Sequence, residues 1–207
     1  MAAHSHKSRV RRFFGGLLDM LEAFVVSLFV IMLACGFLLE LVDVEGSSMN
    51  PTLRENDRLL AWRLGYEPKV SDIVIIDDAY GGHFYDEVVI DTPALDKRIV
   101  KRIIAVEGQT LDIDFEHGFV IRDGIVLNEP YIAELTNRND EAFTYPITIP
   151  KGYIFVMGDN RNGSNDSRNP DVGLVPNDQV VGRVLFRYWR DAKFCKHWWN
   201  RFGFLFL

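Results

Sequence analysis

The chain has 207 residues, 48% of them hydrophobic and 25% charged, which suffices for one globular core plus an anchor. Its net charge of -6 argues against nucleic acid as a partner, because phosphate binding needs a basic face. Two cysteines, Cys35 and Cys195, far apart in the chain, give no basis for a disulfide framework or a thiolate metal site.

Residues 1–16 form a basic tip, with Lys7, Arg9, Arg11 and Arg12 and no acid in the first dozen residues. Ala23 to Leu39 then runs without a charge, and with its flanks reaches the ~20 residues that cross a bilayer. We expect a spanning helix over 17–42. The preceding cations place its N-terminus in the cytoplasm by the positive-inside rule, and everything after about residue 43 outside. A cleaved signal peptide and a buried helix are the competing readings. The acids Glu40, Asp43 and Glu45, standing where a small-residue cleavage site would be, favour a retained anchor.

Just past the anchor comes Gly46-Ser47-Ser48-Met49-Asn50-Pro51-Thr52-Leu53. Gly46 permits unusual backbone angles and Pro51 fixes the chain shortly after Ser48. Such a constrained turn can aim backbone N–H groups at a developing oxyanion, although an ordinary Ser/Pro loop is the commoner origin of this pattern.

From residue 43 onward the chain reads as strands: 58–62, 72–76, 98–106, 118–121, 152–157 and 180–188, separated by Gly, Pro, Asn and Asp clusters. Asp123-Gly124 is a hairpin turn signal. The pattern predicts a mainly β, antiparallel, barrel-like or sandwich-like external domain over 43–207, with no long helix beyond the anchor.

Lys101 lies inside one of these runs. In a strand over 98–106 it shares a face with Ile99, Ile103 and Ala105, while Arg98 and Arg102 take the other. Two readings stand. At a sheet edge the ammonium snorkels to water. On a buried face desolvation lowers its pKa, and the neutral amine can take a proton from a serine hydroxyl.

The segment 157–168, Met-Gly-Asp-Asn-Arg-Asn-Gly-Ser-Asn-Asp-Ser-Arg, follows a strand and is dense in turn formers. Arg161 stands where a calcium loop needs an oxygen ligand, and the later glutamate is missing. Asn162 and Asn165 each open an Asn-x-Ser sequon. The best physical reading is a scaffold in which Asp159, Asp166 and Arg168 pair. The tail, 188–207, interleaves Trp189, Trp198, Trp199, Phe202, Phe204 and Phe206 with Arg190, Lys193, Lys196 and Arg201. That mixture suits a bilayer interface, or equally a packed terminal strand or helix. Five histidines (4, 6, 83, 117 and 197) show no metal-ligand spacing, so neither metal nor cofactor is expected; His83 and His117 read as solvated surface residues.

Taken together, the segments resemble the type I signal peptidases. Ser48-Met49-Asn50-Pro51-Thr52-Leu53 resembles that family's S-M-x-P-T-L box, and Ser71-Asp72-Ile73-Val74-Ile75 its G-D-I-V-V box. Lys101-Arg102 resembles its K-R box, and 158–168 its G-D-N-R-x-x-S-x-D-S-R box. All four occur in the family's order. The resemblance implies a membrane-bound serine endopeptidase that removes signal peptides from exported preproteins, cutting after small residues through an acyl-enzyme.

By the same resemblance Ser48 is the nucleophile and Lys101 the general base. Ser164 orients the lysine amine, and Asp159, Asp166 and Arg168 brace the loop. The Ser48 N–H is an oxyanion donor, with no side-chain donor at Gly46. Val44, Met49, Leu53, Ile99 and Val100 are implied as pocket walls, beside which substrate adds as a strand. Ser71 departs from the family's glycine. The alternative from another class is a non-enzymatic, anchored β-domain that binds partners through its polar loop.

Overall fold

The computed structural model describes residues 3–85, 88–191, 193, 195, 200 and 202–204. The chain divides into two compact units, Met1–Leu39 and Glu40–Leu207.

The first unit is a single helix, α1, Ala3–Leu38. Its stretch Gly15–Leu38 has 24 residues and is long and apolar enough to cross a membrane. At ~1.5 Å per residue that is about 36 Å, against a hydrocarbon layer of ~30 Å. None of this stretch is buried within the protein, and consecutive residues such as Phe29, Val30, Ile31 and Met32 are all exposed. A helix apolar on every side has no face for water and belongs in lipid or a core. The helix ends before residue 42, the expected end of the anchor: Leu39–Asp43 is a strand, with Glu40 and Val42 half-buried on one face and Leu41 and Asp43 exposed on the other.

The second unit is built on twelve strands, β1 being Leu39–Asp43. The others are β2 (Arg58–Trp62), β3 (Ile73–Tyr85), β4 (Val88–Val106), β5 (Thr110–Asp114), β6 (Phe119–Arg122) and β7 (Ile125–Val126). Then follow β8 (Ile147–Thr148), β9 (Tyr153–Met157), β10 (Val175–Pro176), β11 (Val180–Trp189) and β12 (Gly203–Phe204). The larger sheet runs β1-β2-β11-β3-β4-β9-β10, with β12 also on β11; the smaller runs β7-β6-β5-β8. The registered pairings of β2–β11 with their neighbours are antiparallel, as the sequence predicts. Asp123 and Gly124 both take positive φ (54° and 75°) between β6 and β7, the twist a two-residue hairpin demands.

Three apolar clusters hold the unit together. Ile73 and Ile75 on one face of β3 join Val44, Met49, Leu53 and Leu59. Val74 and Ile76 on the other face join Ile99, Ile103, Ile154 and Val156. A third cluster joins the two sheets through Ile104, Ala105, Leu111, Phe155 and Met157. A strand buried on both faces explains why β3 opens with an unbroken apolar run. Ile104 is an extra residue between register pairs Ile103–Val156 and Ala105–Phe155. This bulge turns Ala105 away from the Lys101 face and into the third cluster, against the simple alternation expected.

β3 and β4 continue past the expected strands into a long hairpin, from the Asp78–Lys97 pairing out to Tyr85–Val88. Of the tail, Trp189 and Phe202 are partly exposed, Phe202 stacks on Phe186 at 6.4 Å, and Gly203–Phe204 pairs with β11. Trp198, Trp199, Phe206, Lys196 and Arg201 lie outside the described residues.

Candidate active site

Ser48 sits on a loop whose ends are tied together: Val44 N–H donates to Asp57 O at 2.8 Å and Asn56 N–H to Val44 O at 2.8 Å. Met49 and Leu53 plug the loop into the first apolar cluster, fixing the backbone on either side of the serine's turn. Gly46 takes φ 76°, a left-handed conformation that costs other residues ~1–2 kcal/mol. From above, Asn160 N–H donates to Ser48 O at 3.0 Å and Asn160 Nδ2 to Ser47 O at 3.1 Å. Gly158 allows this approach, since a Cβ there would overlap the Ser48 carbonyl and the Ser164 hydroxyl.

Lys101 reaches Ser48 from β4, its Nζ 2.9 Å from Ser48 Oγ and 3.2 Å from the Val100 carbonyl. It is 3% exposed. Burial pushes its pKa down to about 8; Asp166, Asp78 and Asp159 act against that shift and Lys97 with it. Desolvation without a contacting carboxylate leaves a minority of the amine, about a fifth near physiological pH, in the neutral state a general base requires.

The next residue, Arg102, is 1% exposed and takes the other face of β4. Its Nε and Nη2 donate to the two oxygens of Asp159 at 2.8 and 2.7 Å, and its Nη1 to Ser71 O at 2.8 Å. The Tyr131 ring lies 3.9 Å beneath the guanidinium. Asp159 thus braces the loop against β4; it does not pair with Arg168 as the sequence suggests.

Asp166 and Arg168 do pair, both fully buried, through bonds of 2.9 and 2.8 Å. Burial alone would raise the Asp166 pKa, but the Arg168 charge and the Gly158 N–H hold it below the ordinary value. Arg161 closes the scaffold, donating to Gly158 O, Thr136 Oγ1 and both oxygens of Glu129. Ser164 is buried beside Gly158, yet its hydroxyl has no hydrogen-bond partner among the described residues. The expected bond from Ser164 to the lysine amine is therefore not formed.

An open cleft of about 750 Å³ fronts the pair. Residues 41–49 form one wall, Leu95 and 97–101 the other, with Gly163 and Asn165 completing it. Of the expected pocket walls, Val44, Met49, Ile99 and Val100 line it, whereas Leu53 is wholly in the core behind. β9 pairs with β4 only from Arg102 onward, so residues 97–101 present a strand edge to the cleft. His83 stacks on Phe143 and His117 pairs with Asp114 at an exposed turn; neither lines the cleft. No group of His, Cys, Asp and Glu able to hold a metal ion occurs among the described residues.

Arg102, Arg161, Glu129 and Tyr131 escaped the sequence reading. Arg102 takes the face expected of it, but the burial of that face depends on Asp159 and Tyr131, from distant loops, closing over it. Glu129 and Tyr131 lie in a loop with no local pattern to mark them.

Comparison with known proteins agrees with this geometry. A family profile described as "Signal peptidase, peptidase S26" matches residues 17–189. A probable signal peptidase I-1 of Synechocystis sp. is 34% identical over 182 residues, 86% of this chain and 83% of that protein. Signal peptidase I of Bacillus licheniformis is 34% identical over 82% of this chain and 87% of its own length. Thylakoidal processing peptidase 1 of Arabidopsis thaliana is 35% identical over 73% of this chain, which spans 42% of that longer protein. The chain belongs to the S26 signal peptidases, membrane-anchored serine peptidases that remove signal peptides from preproteins.

Proposed function

We propose that Ser48 is the nucleophile and Lys101 the general base of this peptidase. The observation that carries the assignment is the 2.9 Å approach of a buried lysine amine, with its pKa lowered to about 8, to the serine hydroxyl. The neutral amine accepts the Ser48 proton as Oγ attacks the scissile carbonyl. The resulting ammonium returns that proton to the departing amine nitrogen, leaving the acyl group as an ester on Ser48. The amine then takes a proton from water, whose oxygen attacks the ester, and the ammonium returns that proton to the departing Ser48 Oγ. The Ser48 N–H is the oxyanion donor available on this loop. Asp159, Asp166 and Arg168 act by holding the loop over the serine, and Ser164 by packing against Gly158.

The preprotein lies extended in the cleft, pairing with the free edge at 97–101 and with the segment 41–46. Val44, Met49, Ile99 and Val100 form the apolar part of the cleft beside the serine, against which the small side chains before the cleavage point pack. The helix anchors the enzyme in a bilayer, with the basic N-terminus cytoplasmic and the β unit on the extracytoplasmic side, by the positive-inside rule. In that orientation Ser48, ten residues past the helix end at Leu38, is on the side where exported preproteins emerge.

The test is cleavage of a preprotein by the purified full chain beside its Ser48→Ala and Lys101→Ala variants, each checked for folding by circular dichroism. Loss of cleavage in both folded variants supports the pair. Retained cleavage in either removes that residue from its role.

A further inference from the structure

A second anchor closes on the nucleophile loop at Thr52 and Asp57. Asp57, fully buried at the loop's end, accepts the Arg54 N–H at 3.0 Å and so shapes the turn leading back to β2. Arg190, one residue past the end of β11, grips this carboxylate with Nε at 2.9 and 3.0 Å and Nη2 at 2.6 Å. The same Nη2 donates to the Thr52 carbonyl at 2.8 Å, and Arg187 Nη1 approaches that carbonyl at 3.4 Å.

Thr52 ends the turn that Ser48 begins, in which Leu53 N–H donates to Met49 O at 2.9 Å. One planar guanidinium therefore joins both limbs of the serine loop, a task its fork geometry allows and a point charge does not. Arg190 lies one residue beyond the family match, which ends at 189.

We propose that Arg190 is a positioning residue for the reaction: with Asp57 it sets the height of the nucleophile loop, and so the distance from Ser48 Oγ to the Lys101 amine. The inference rests on Ser48 and Lys101 being the reacting pair. Those two groups come from separately built pieces, a tied loop and a strand, and catalysis falls steeply when such groups drift by an ångström. Asn160 restrains the loop at Ser47 and Ser48; Arg190 restrains it at Thr52 and Asp57. The end of β11 is thereby joined to the reaction.

The experiment compares the full chain with Arg190→Ala, Arg190→Lys, Asp57→Asn and Ser48→Ala, in detergent micelles, on one preprotein substrate. Arg190→Ala is expected to lower kcat by about tenfold or more with KM within about twofold, because substrate contacts stay while reacting atoms separate. The acid limb of its pH profile stays near the wild-type position, since the charged groups that act on Lys101, Asp166, Asp78, Lys97 and Asp159, lie outside the serine loop.

Guanidinium ion at tens of millimolar, filling the gap beside Asp57, restores part of the Arg190→Ala rate but none of the Arg190→Lys rate. Should Arg190→Ala fail to fold, Arg190→Lys and Asp57→Asn carry the same kcat test, each with an expected loss of several-fold. Wild-type kcat in the folded variants overturns the proposal. A loss that merely follows the drop in Tm, with no response to guanidinium, also overturns it. Cleavage by Ser48→Ala would overturn the nucleophile assignment instead, whatever the arginine variants do.

Discussion

Lys101 and Arg102 are consecutive cations on one strand, equally buried, with opposite surroundings. Arg102 meets a carboxylate in two bonds, a backbone carbonyl and an aromatic face. Lys101 meets a hydroxyl and a carbonyl, and the acids near it act only from beyond contact. One face of β4 thus compensates a permanent charge, and the other withholds compensation so that a titratable charge can be given up. Burial alone does not make a base; burial without a contacting counter-ion does.

The contrast is broken most strongly at its reactive member. Lys101→Ala should reduce preprotein cleavage by at least ~10³-fold, as loss of a catalytic base does elsewhere. Its Tm should fall little or even rise in the Lys101→Met form, because that change removes a poorly compensated ammonium from the core. A sharp drop in Tm with Lys101→Met would mean that the lysine is structural.

At the compensated member the effects invert. Arg102→Met strands Asp159 in the core and should cost about 3–5 kcal/mol of stability, read by urea unfolding. Adding Asp159→Leu to it should recover a large part of that loss. If the single change is harmless, the pair is not what holds the loop to β4.

The pH profile sharpens the comparison further. The neutral amine is the working form, and its pKa is lowered to about 8. kcat/KM should therefore fall about tenfold per unit as pH drops below that value and level off above it. A flat profile through neutrality would contradict the lysine base.

Asp78 provides a finer adjustment. It is buried on the Lys101 face, its own pKa is pushed up to about 6 by burial, and its charge favours the lysine ammonium. Asp78→Asn should move the acid limb to lower pH, by less than about one unit. No shift would mean that Asp78 does not reach the amine electrostatically.

The smallest effect is expected at Ser71, which stands at φ 71° while its N–H and carbonyl bond to Ile103 O and Arg102. Ser71→Gly relieves the left-handed strain at an entropic cost and should stabilise by at most ~1 kcal/mol, visible as a small rise in Tm.

Much of the site was legible because the motifs are local. The serine turn, the lysine strand and the polar loop each have a short signature, and each stands where its signature implies. The arms of the long hairpin were not legible. Residues 77–85 and 88–97 mix acids, glycines, His83 and Pro93 without alternation, and their pairing comes from register propagated outward from Ile76–Ile99. Leu53 could not be told from a pocket wall, because whether an apolar loop residue faces a cleft or a core depends on what packs behind it. Ser164 shows the same limit for a polar group: its place beside Gly158 followed from the motif, but its hydroxyl partner did not.

The sequence by itself determined a spanning helix, a β domain of antiparallel strands, and a serine and a lysine set far apart in a recognisable order. These are statements about periodicity, composition and short-range backbone preference, which local residues carry. The tertiary structure decided that both faces of β4 are buried, that Asp159 goes to Arg102 and not to Arg168, and that Arg190 returns from the end of β11 to the serine loop. Each of those depends on which charges share a desolvated space, and that is settled only when sheets close over one another.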